Sequence, residues 1–497
     1  MKKHDLDFLS NPSRQSSVAI LVILMKFFGT ILRQAWPLII IFLFKNSDAR
    51  EAYLSYVIMG IAFLSMLASI ISYFKFYYYV EGEELIIEKG VIQSKRLNVP
   101  FERIQTVNFE QNIIHRIFNV VSLEIDTAGS KGKEFSITAL SKEQAEAIRN
   151  YLLSQKRKIV TTEEEVVEME PEENLLLQLS PLDLLKVGVA QNHFRMMGLI
   201  LVSFFGFYQF FEDIIGDQLE ARIKNWFDAS FDASWPFFLL TFFSFLLIVS
   251  FLLTLVRTIV RYYDLRFLKT SLGFKVIAGL LTKKEQSANI NKIQLIHWDT
   301  NPLMEYFKLF SLTLSQAASM SITKKQSIFV PGSYDAQLTA VRKTYFPEEG
   351  LLDFEAHGIS PLIIWRRVLY LGIVPVAIIM SLRFVLGETI DFPLLLWILI
   401  VGIASYLYQR KWAYFVSEKG IRLSRGIIGR RETLLKWYKI QSVKISQGIY
   451  QRRKNLATVD LYTAAGSVRI PYIELEKANA LQNFILYRIE SSQREWM

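Results

Sequence analysis

FERIQTVNFEQN (101–112) holds an Ile-Gln pair that returns in ANINKIQLIHWDTN (288–301) and again in LLKWYKIQSVKISQG (434–448). A triplet of echoes at this distance is the signature of an internal repeat, which must be settled before any single residue is read as a site. With Gly90, Gly279 and Gly426 aligned, an ungapped count brings Ile104-Gln105, Ile293-Gln294 and Ile440-Gln441 into step. The same count then superimposes Leu123, Leu312 and Val459, and after them Ile125, Leu314 and Leu461. About 40 residues run in lockstep, so the Ile-Gln pair marks one structural unit written three times.

Each copy reads as β structure closed by a helix. ELIIEKGVI, FKVIAGLLT and IRLSRGIIG are short strands broken at a glycine turn. VSLEID, FSLTLS and ATVDLY alternate apolar and polar, as half-buried strands do. In SKEQAEAIRNYLLSQK (141–156), Ser141 and Gln144 form a capping box and Ala145, Ile148 and Leu152 share one face. ELEKANALQNFILYRIE (474–490) is the third-copy counterpart. About seven short strands and one helix per copy predict a small capped barrel.

Between the copies lie apolar runs. AYLSYVIMGIAFLSMLASIISYF (52–74) and WPFFLLTFFSFLLIVSFLLTLV (235–256) carry no charge and are long enough to cross a bilayer. PLLLWILIVGIASYLY (393–408) is shorter and equally uncharged. Weaker apolar segments precede each, at 18–44, 191–211 and 366–386, and the pattern predicts three hairpins and six spans. The segment 18–44 is interrupted by Lys26, Arg33 and Gln34, and reads either as one span or as an interfacial helix followed by a short span. Lys75, Arg257, Arg261, Arg410 and Lys411 close the clean runs, whereas the connection 212–234 is acidic. Basic flanks stay in the cytoplasm, which puts both termini and all three polar domains there. The N-terminus lacks the pattern of a signal peptide.

These readings divide the chain into an N-terminal segment with hairpin one (1–74), domain one (75–158), an acidic linker (159–178), hairpin two (179–260), domain two (261–346), a linker (347–360), hairpin three (361–410) and domain three (411–491). The arrangement resembles the bacterial pleckstrin-homology-like (bPH2) family, in its three-copy, YdbT-like version of multi-pass membrane proteins from Gram-positive bacteria. The resemblance rests on the glycine turn, the segment NVPFERIQTV, the strand end Thr127-Ala128-Gly129 and the hairpin before each domain. Copy two departs most, with Ala317-Ala318-Ser319 at the strand end and no proline before Ile293-Gln294. The fold class implied is an α+β membrane protein: six transmembrane helices in three hairpins, each followed by a PH-like barrel or sandwich with a C-terminal helix.

Composition narrows the chemistry. The chain has no cysteine and only five scattered histidines, so thiolate and clustered-histidine metal sites are not expected. No G-x-S-x-G, P-loop, H-E-x-x-H or helix-opening G-x-G-x-x-G occurs, and the expectation is a protein without enzymatic activity or cofactor. The net charge of +10, beside long apolar runs, points to an anionic membrane surface rather than nucleic acid. It is concentrated in domains two and three.

Gln105, Gln294 and Gln441 have no acid–base chemistry of their own, and strand parity places them inward, where backbone groups would satisfy them. The sharper candidate is a basic pair after each glycine turn: Lys95-Arg96, Lys283-Lys284 and Arg430-Arg431. The family resemblance implies contact with anionic lipid headgroups there. The competing reading is solvated charge that blunts an exposed strand edge. Two functions follow, a membrane scaffold for protein partners or lipid headgroups, and a transporter or lipid-translocating protein, the latter weakened by the scarcity of ionisable residues within the spans. The resemblance further implies a smaller PH-like membrane partner, with a homo-oligomer as the other possibility, and a role in envelope stress or antimicrobial resistance.

Overall fold

The computed structural model describes residue 9 and residues 11–25, 29–30, 49–90, 93–127, 135–160, 173–215, 217–317, 327–346, 356–387 and 393–491. Most of segment 18–44, including Arg33, most of the acidic linker, Ala128-Gly129 and Ala318-Ser319 lie outside them. Two compact units result, and residues 277–286 of copy two belong with the first.

The first unit holds copy one. β1 (Tyr77–Glu81), β2 (Glu84–Lys89) and β3 (Lys95–Pro100) form an antiparallel sheet in that order. The 3-10 turn Phe101–Arg103 leads into a second sheet of β4 (Ile104–Asn112), β5 (Val120–Thr127) and β6 (Phe135–Ser141). The helix Lys142–Val160 closes the core. Gln144 N donates to Ser141 Oγ at 3.2 Å, and Ser141 N donates to Gln144 Oε1 at 3.4 Å, completing the capping box. Ala145, Ile148 and Leu152 are fully buried against Leu85, Phe101, Ile104 and Leu123.

Copies two and three repeat the order. After the short strand β7 (Asn174–Gln178) come β8 (Arg266–Thr270), β9 (Gly273–Ala278), β10 (Thr282–Asn289), β11 (Ile293–Thr300), β12 (Phe310–Gln316) and β13 (Ser327–Ser333). Then follow β14 (His357–Gly358), β15 (Ala413–Val416), β16 (Gly420–Arg425), β17 (Arg430–Lys436), β18 (Ile440–Ser446), β19 (Leu456–Thr463) and β20 (Gly466–Glu474). Helices Asp335–Tyr345 and Leu475–Glu490 close the two copies. Among the described residues each copy thus has six strands of its own, one fewer than expected. In copies two and three a seventh comes from the chain upstream, β7 pairing with β8 and β14 with β15, whereas in copy one Ser13 makes a single isolated bridge to Tyr78 of β1. In sequence β7 and β14 fall within the two segments read as linkers, because they are too short to carry a strand pattern.

Among the described residues three helices are long and apolar enough to cross a membrane: Leu239–Tyr262, Leu362–Val385 and Leu394–Lys411. Ala49–Phe74 is a further 26-residue helix, and His193–Ser203 is a shorter apolar one. The acidic stretch 212–234, expected to be a connection, is helical on both sides of residue 216, and a single 46-residue helix runs from Asp217 to Tyr262. It contains no glycine and its one proline, Pro236, lies mid-helix, so the acidic composition alone supplied no stop signal. The preceding helix packs back on it: the His193 ring lies 4.9 Å from that of Phe251, and Ser250 Oγ donates to the His193 carbonyl at 2.5 Å. In the third hairpin Trp397 Nε1 donates to the Leu371 carbonyl at 2.9 Å, at a π-helical turn over Val368–Ile373.

Candidate functional site

The glycine turns come first, because they aim everything after them. Gly90 and Gly279 have φ of 139° and 121°, where L side chains are strained. A Cβ on Gly90, Gly279 or Gly426 would collide with the carbonyl oxygen three residues on, at Gln93, Thr282 and Gly429. The hairpin tip that follows is apolar: Leu281 is 48% and Ile428 68% exposed. The chain holds these tips beside the ends of span-length helices. Leu280 N donates to the Val260 carbonyl and Gly279 N to that of Tyr263, both at 2.9 Å, while Lys411 Nζ donates to the Ile428 carbonyl at 2.6 Å.

A second tip is built by the five-residue helix between the fourth and fifth strands of each copy: Ile113–Ile117, Pro302–Tyr306 and Ile449–Arg453. Asn112 and Asn301 cap the first two by accepting from His115 N and Met304 N, and a residue with positive φ follows each helix (Asn119, Lys308, Asn455). Ile113 and Ile117, Leu303 and Tyr306, and Ile449 and Tyr450 all stand exposed. In the first unit Arg116 Nη1 donates to the Leu280 carbonyl at 2.8 Å, placing the short-helix tip next to the hairpin tip. Sequence reasoning missed these tips, whose sole signal there is an apolar pair flanked by basic residues.

The basic pairs occupy two different environments. In the first unit β10 docks antiparallel on the outer edge of β4, with Thr282 opposite Asn112, Lys283 opposite Gln111 and Lys284 opposite Glu110. In the second unit β17 docks on β11 in the same register, from Arg430 opposite Thr300 to Leu435 opposite Leu295, and the strands of copies two and three join one seven-stranded sheet. At these seams Lys284 Nζ meets Glu110 Oε2 at 3.0 Å. Arg431 grips Asp299 with two hydrogen bonds, Nη2 to Oδ2 being 2.9 Å, and the carboxylate holds its pKa above the usual guanidinium range. His297 Nδ1 lies 2.9 Å from Thr433 Oγ1 across the second seam. Arg430 is exposed, with its Nε 3.0 Å from the buried Glu432. In copy one Arg96 pairs with Glu81 and stacks over Tyr79 at 6.0 Å. Lys95 and Lys283 are exposed and have no ion pair among the described residues.

Lockstep counting also separates the pairs. Lys95, Lys284 and Arg431 share one position, since Lys95 faces Lys89 as Arg431 faces Arg425. Arg96 is then equivalent to Glu285 and Glu432 and not to a second base.

Each Ile-Gln pair follows a 3-10 turn, at Phe101–Arg103, Ile290–Lys292 and Trp437–Lys439. The isoleucines Ile104, Ile293 and Ile440 are buried. In all three copies the strand register slips across the Gln, a β-bulge. A bulge breaks the two-residue period, so strand parity does not carry through it. Gln294 is fully buried, Gln441 is exposed, and the Gln105 side chain lies outside the described residues. Inward placement therefore fails for Gln441. Tyr345, from the closing helix of copy two, donates to the carbonyls of Ile293 and Gln294 at 3.3 and 3.4 Å, holding the bulge from within.

Lys439, beside the third bulge, is a feature that sequence reasoning passed over. It is buried, its amine donates to the Asn291 carbonyl of copy two, and it lies 4.8 Å from the Tyr438 ring. Burial lowers its pKa to about 8.

The model of the family described as Bacterial PH domain (bPH_2) matches three segments, residues 20–156, 233–346 and 368–489. UPF0699 transmembrane protein YdbT of Bacillus subtilis (strain 168) is 23% identical over 482 residues, covering 92% of this chain and 94% of the relative. UPF0699 transmembrane protein YdbS of the same organism is 35% identical over 88 residues, 18% of this chain and 55% of that protein.

Proposed function

The chain belongs to the bacterial PH domain family, and from that premise we propose that it is a non-enzymatic membrane scaffold whose three PH-like copies work against the cytoplasmic surface of an anionic bilayer. In this reading six spans in three hairpins fix the copies under the membrane, and the basic residues after each glycine turn contact lipid headgroups. One observation carries it: the exposed apolar hairpin tips at Leu281 and Ile428 are hydrogen-bonded to the ends of span-length helices, with basic residues two or three positions further on. An apolar tip at the interface with cations behind it suits an anionic leaflet, where each base near the surface contributes about 1 kcal/mol. Lys283 and Lys95 are the freest to serve, whereas Lys284 and Arg431 divide their charge with seam carboxylates.

Scaffolding is favoured over transport by the charges of the three span-length helices. Arg257, Arg261, Arg366, Arg367, Arg383, Arg410 and Lys411 all lie within about two turns of a helix end.

The chain has no native cysteine, so Leu281→Cys or Ile428→Cys in the full protein can carry an environment-sensitive fluorophore. In nanodiscs, brominated lipids should quench either probe, and quenching should deepen as anionic lipid replaces neutral lipid. Equal quenching in both compositions removes the headgroup reading, and no quenching in either removes the membrane-facing tip.

A further inference from the structure

We infer that β18, the outer strand of the third copy, is a docking edge for a second molecule of this chain, which supplies β3 of its first copy. β4 and β11 are each covered by the third strand of the copy that follows, in one shared register. β18 holds the same place in copy three, yet among the described residues it has β19 as its single neighbour. β3 corresponds to the docking strands β10 and β17, and its single neighbour is β2. The chain therefore carries two unlike open edges among the described residues, and what covers their counterparts is known twice over. Continuing the register puts Ser446 opposite Lys95, Ile445 opposite Arg96 and Ser442 opposite Val99. Neither Ser442–Gln447 nor Ser94–Val99 contains proline, so the backbone ladder is open to a strand from outside.

Side chains choose between a second copy and a foreign strand. At the first seam Arg149, eight residues after Ser141, stacks over Phe109 at 5.2 Å and pairs at 2.7 Å with Glu285 of the docking strand. At the second, Arg342 occupies the same helix position, stacks over Trp298 at 5.7 Å, and the docking strand again carries an acid, Glu432. In copy three that helix position is Gln482, which donates to the Val443 carbonyl at 3.5 Å. In copy one the docking-strand position is Arg96. The two changes are matched: an arginine at 482 would face Arg96, whereas the glutamine amide can accept from it. A docking strand with glutamate, the type used inside the chain, finds no arginine here. The open edges thus suit each other, and the contact they make is head-to-tail, closing into a ring or extending as a row.

The test uses the full chain, expressed with two tags in one membrane. Ser446→Cys in one form and Lys95→Cys in the other should join the two tags under mild oxidation. Ser446→Cys with Asn98→Cys, which is out of register and on the other face, should give several-fold less product. Single-molecule photobleaching in diluted liposomes supplies a readout free of cysteine chemistry. Ser446→Glu recreates the acid-to-base arrangement of Glu110 and Lys284 and should raise association about two- to fivefold, and Ser446→Lys should lower it by a similar factor. Lys95→Glu should cancel the gain. Equal crosslinking in both registers, association indifferent to the charge at 446, or capture of a different protein by the Ser446→Cys form without a mixed-tag product, would each overturn the inference. None of these outcomes depends on lipid charge, so failure here is separable from failure of the headgroup reading.

Discussion

Reversing one seam charge separates a structural role for the basic pair from a lipid role. Arg431 and Asp299 are 53% and 31% exposed and joined by two hydrogen bonds, a geometry at the upper end of the range for surface pairs, about 1 kcal/mol. Arg431→Glu removes that pair and sets two carboxylates opposite each other on neighbouring strands, a penalty of similar size, so the expected loss is about 2 kcal/mol. For a unit of this size such a loss lowers the unfolding midpoint by about 4–8 °C. Trp298 and Trp437 are buried in the same unit, so intrinsic fluorescence of the full protein in detergent follows the transition. Asp299→Arg should be comparably destabilising, and the double swap should recover at least half of either loss. If the swap melts as low as either single variant, the seam pair is not what Arg431 contributes. If the swap restores stability but not quenching by anionic lipid, Arg431 serves both.

Lys439 should make stability depend on pH. Its pKa is about 8 when folded and 10.5 when unfolded, so between those values the unfolded chain alone holds the proton and stability rises with pH. Below pH 8 the full cost of burying the charge is present, up to about 3 kcal/mol. Lys439→Met should raise the midpoint at pH 7, and its advantage should shrink towards pH 10; an advantage constant with pH would refute the assignment. Gly279→Ala should cost about 1–3 kcal/mol, because it combines a strained φ with a collision at the Thr282 carbonyl, and should shift the Leu281 probe away from the bilayer. A wild-type melting curve would show the turn to be more compliant than its geometry implies.

Local features were legible before the structure. The repeat, the glycine turns, the Ser141–Gln144 box and the buried face of Ala145, Ile148 and Leu152 all follow from short-range spacing. What escaped was non-local. A strand edge recognises its neighbour through backbone groups that every residue carries, so nothing in β4 announces β10. The pair Lys284–Glu110 joins residues 174 apart, and each taken alone reads as solvated charge. The bulge was hidden for a related reason: hydrophobic alternation beyond the Gln suggested an unbroken strand, and only the pairing register reveals the slip. The basic pair of copy one is out of phase with the other two by one residue, because Lys95-Arg96 matches them in composition and not in count.

The seams also set a timetable for synthesis. Asn112 precedes its strand partner Thr282 by 170 residues, and the second hairpin lies between them. At 5–20 residues per second the ribosome needs about 10–30 s to supply that partner. Throughout this interval the outer edge of β4 is bare, while β5 and β6 are already available on its other side. Exchanging β10 between two nascent chains would cost no hydrogen bond, since the register of β10 on β4 is the same in either pairing. In the proposed membrane arrangement, insertion of the two helices between β4 and β10 would hold each β10 close to the β4 of its own chain.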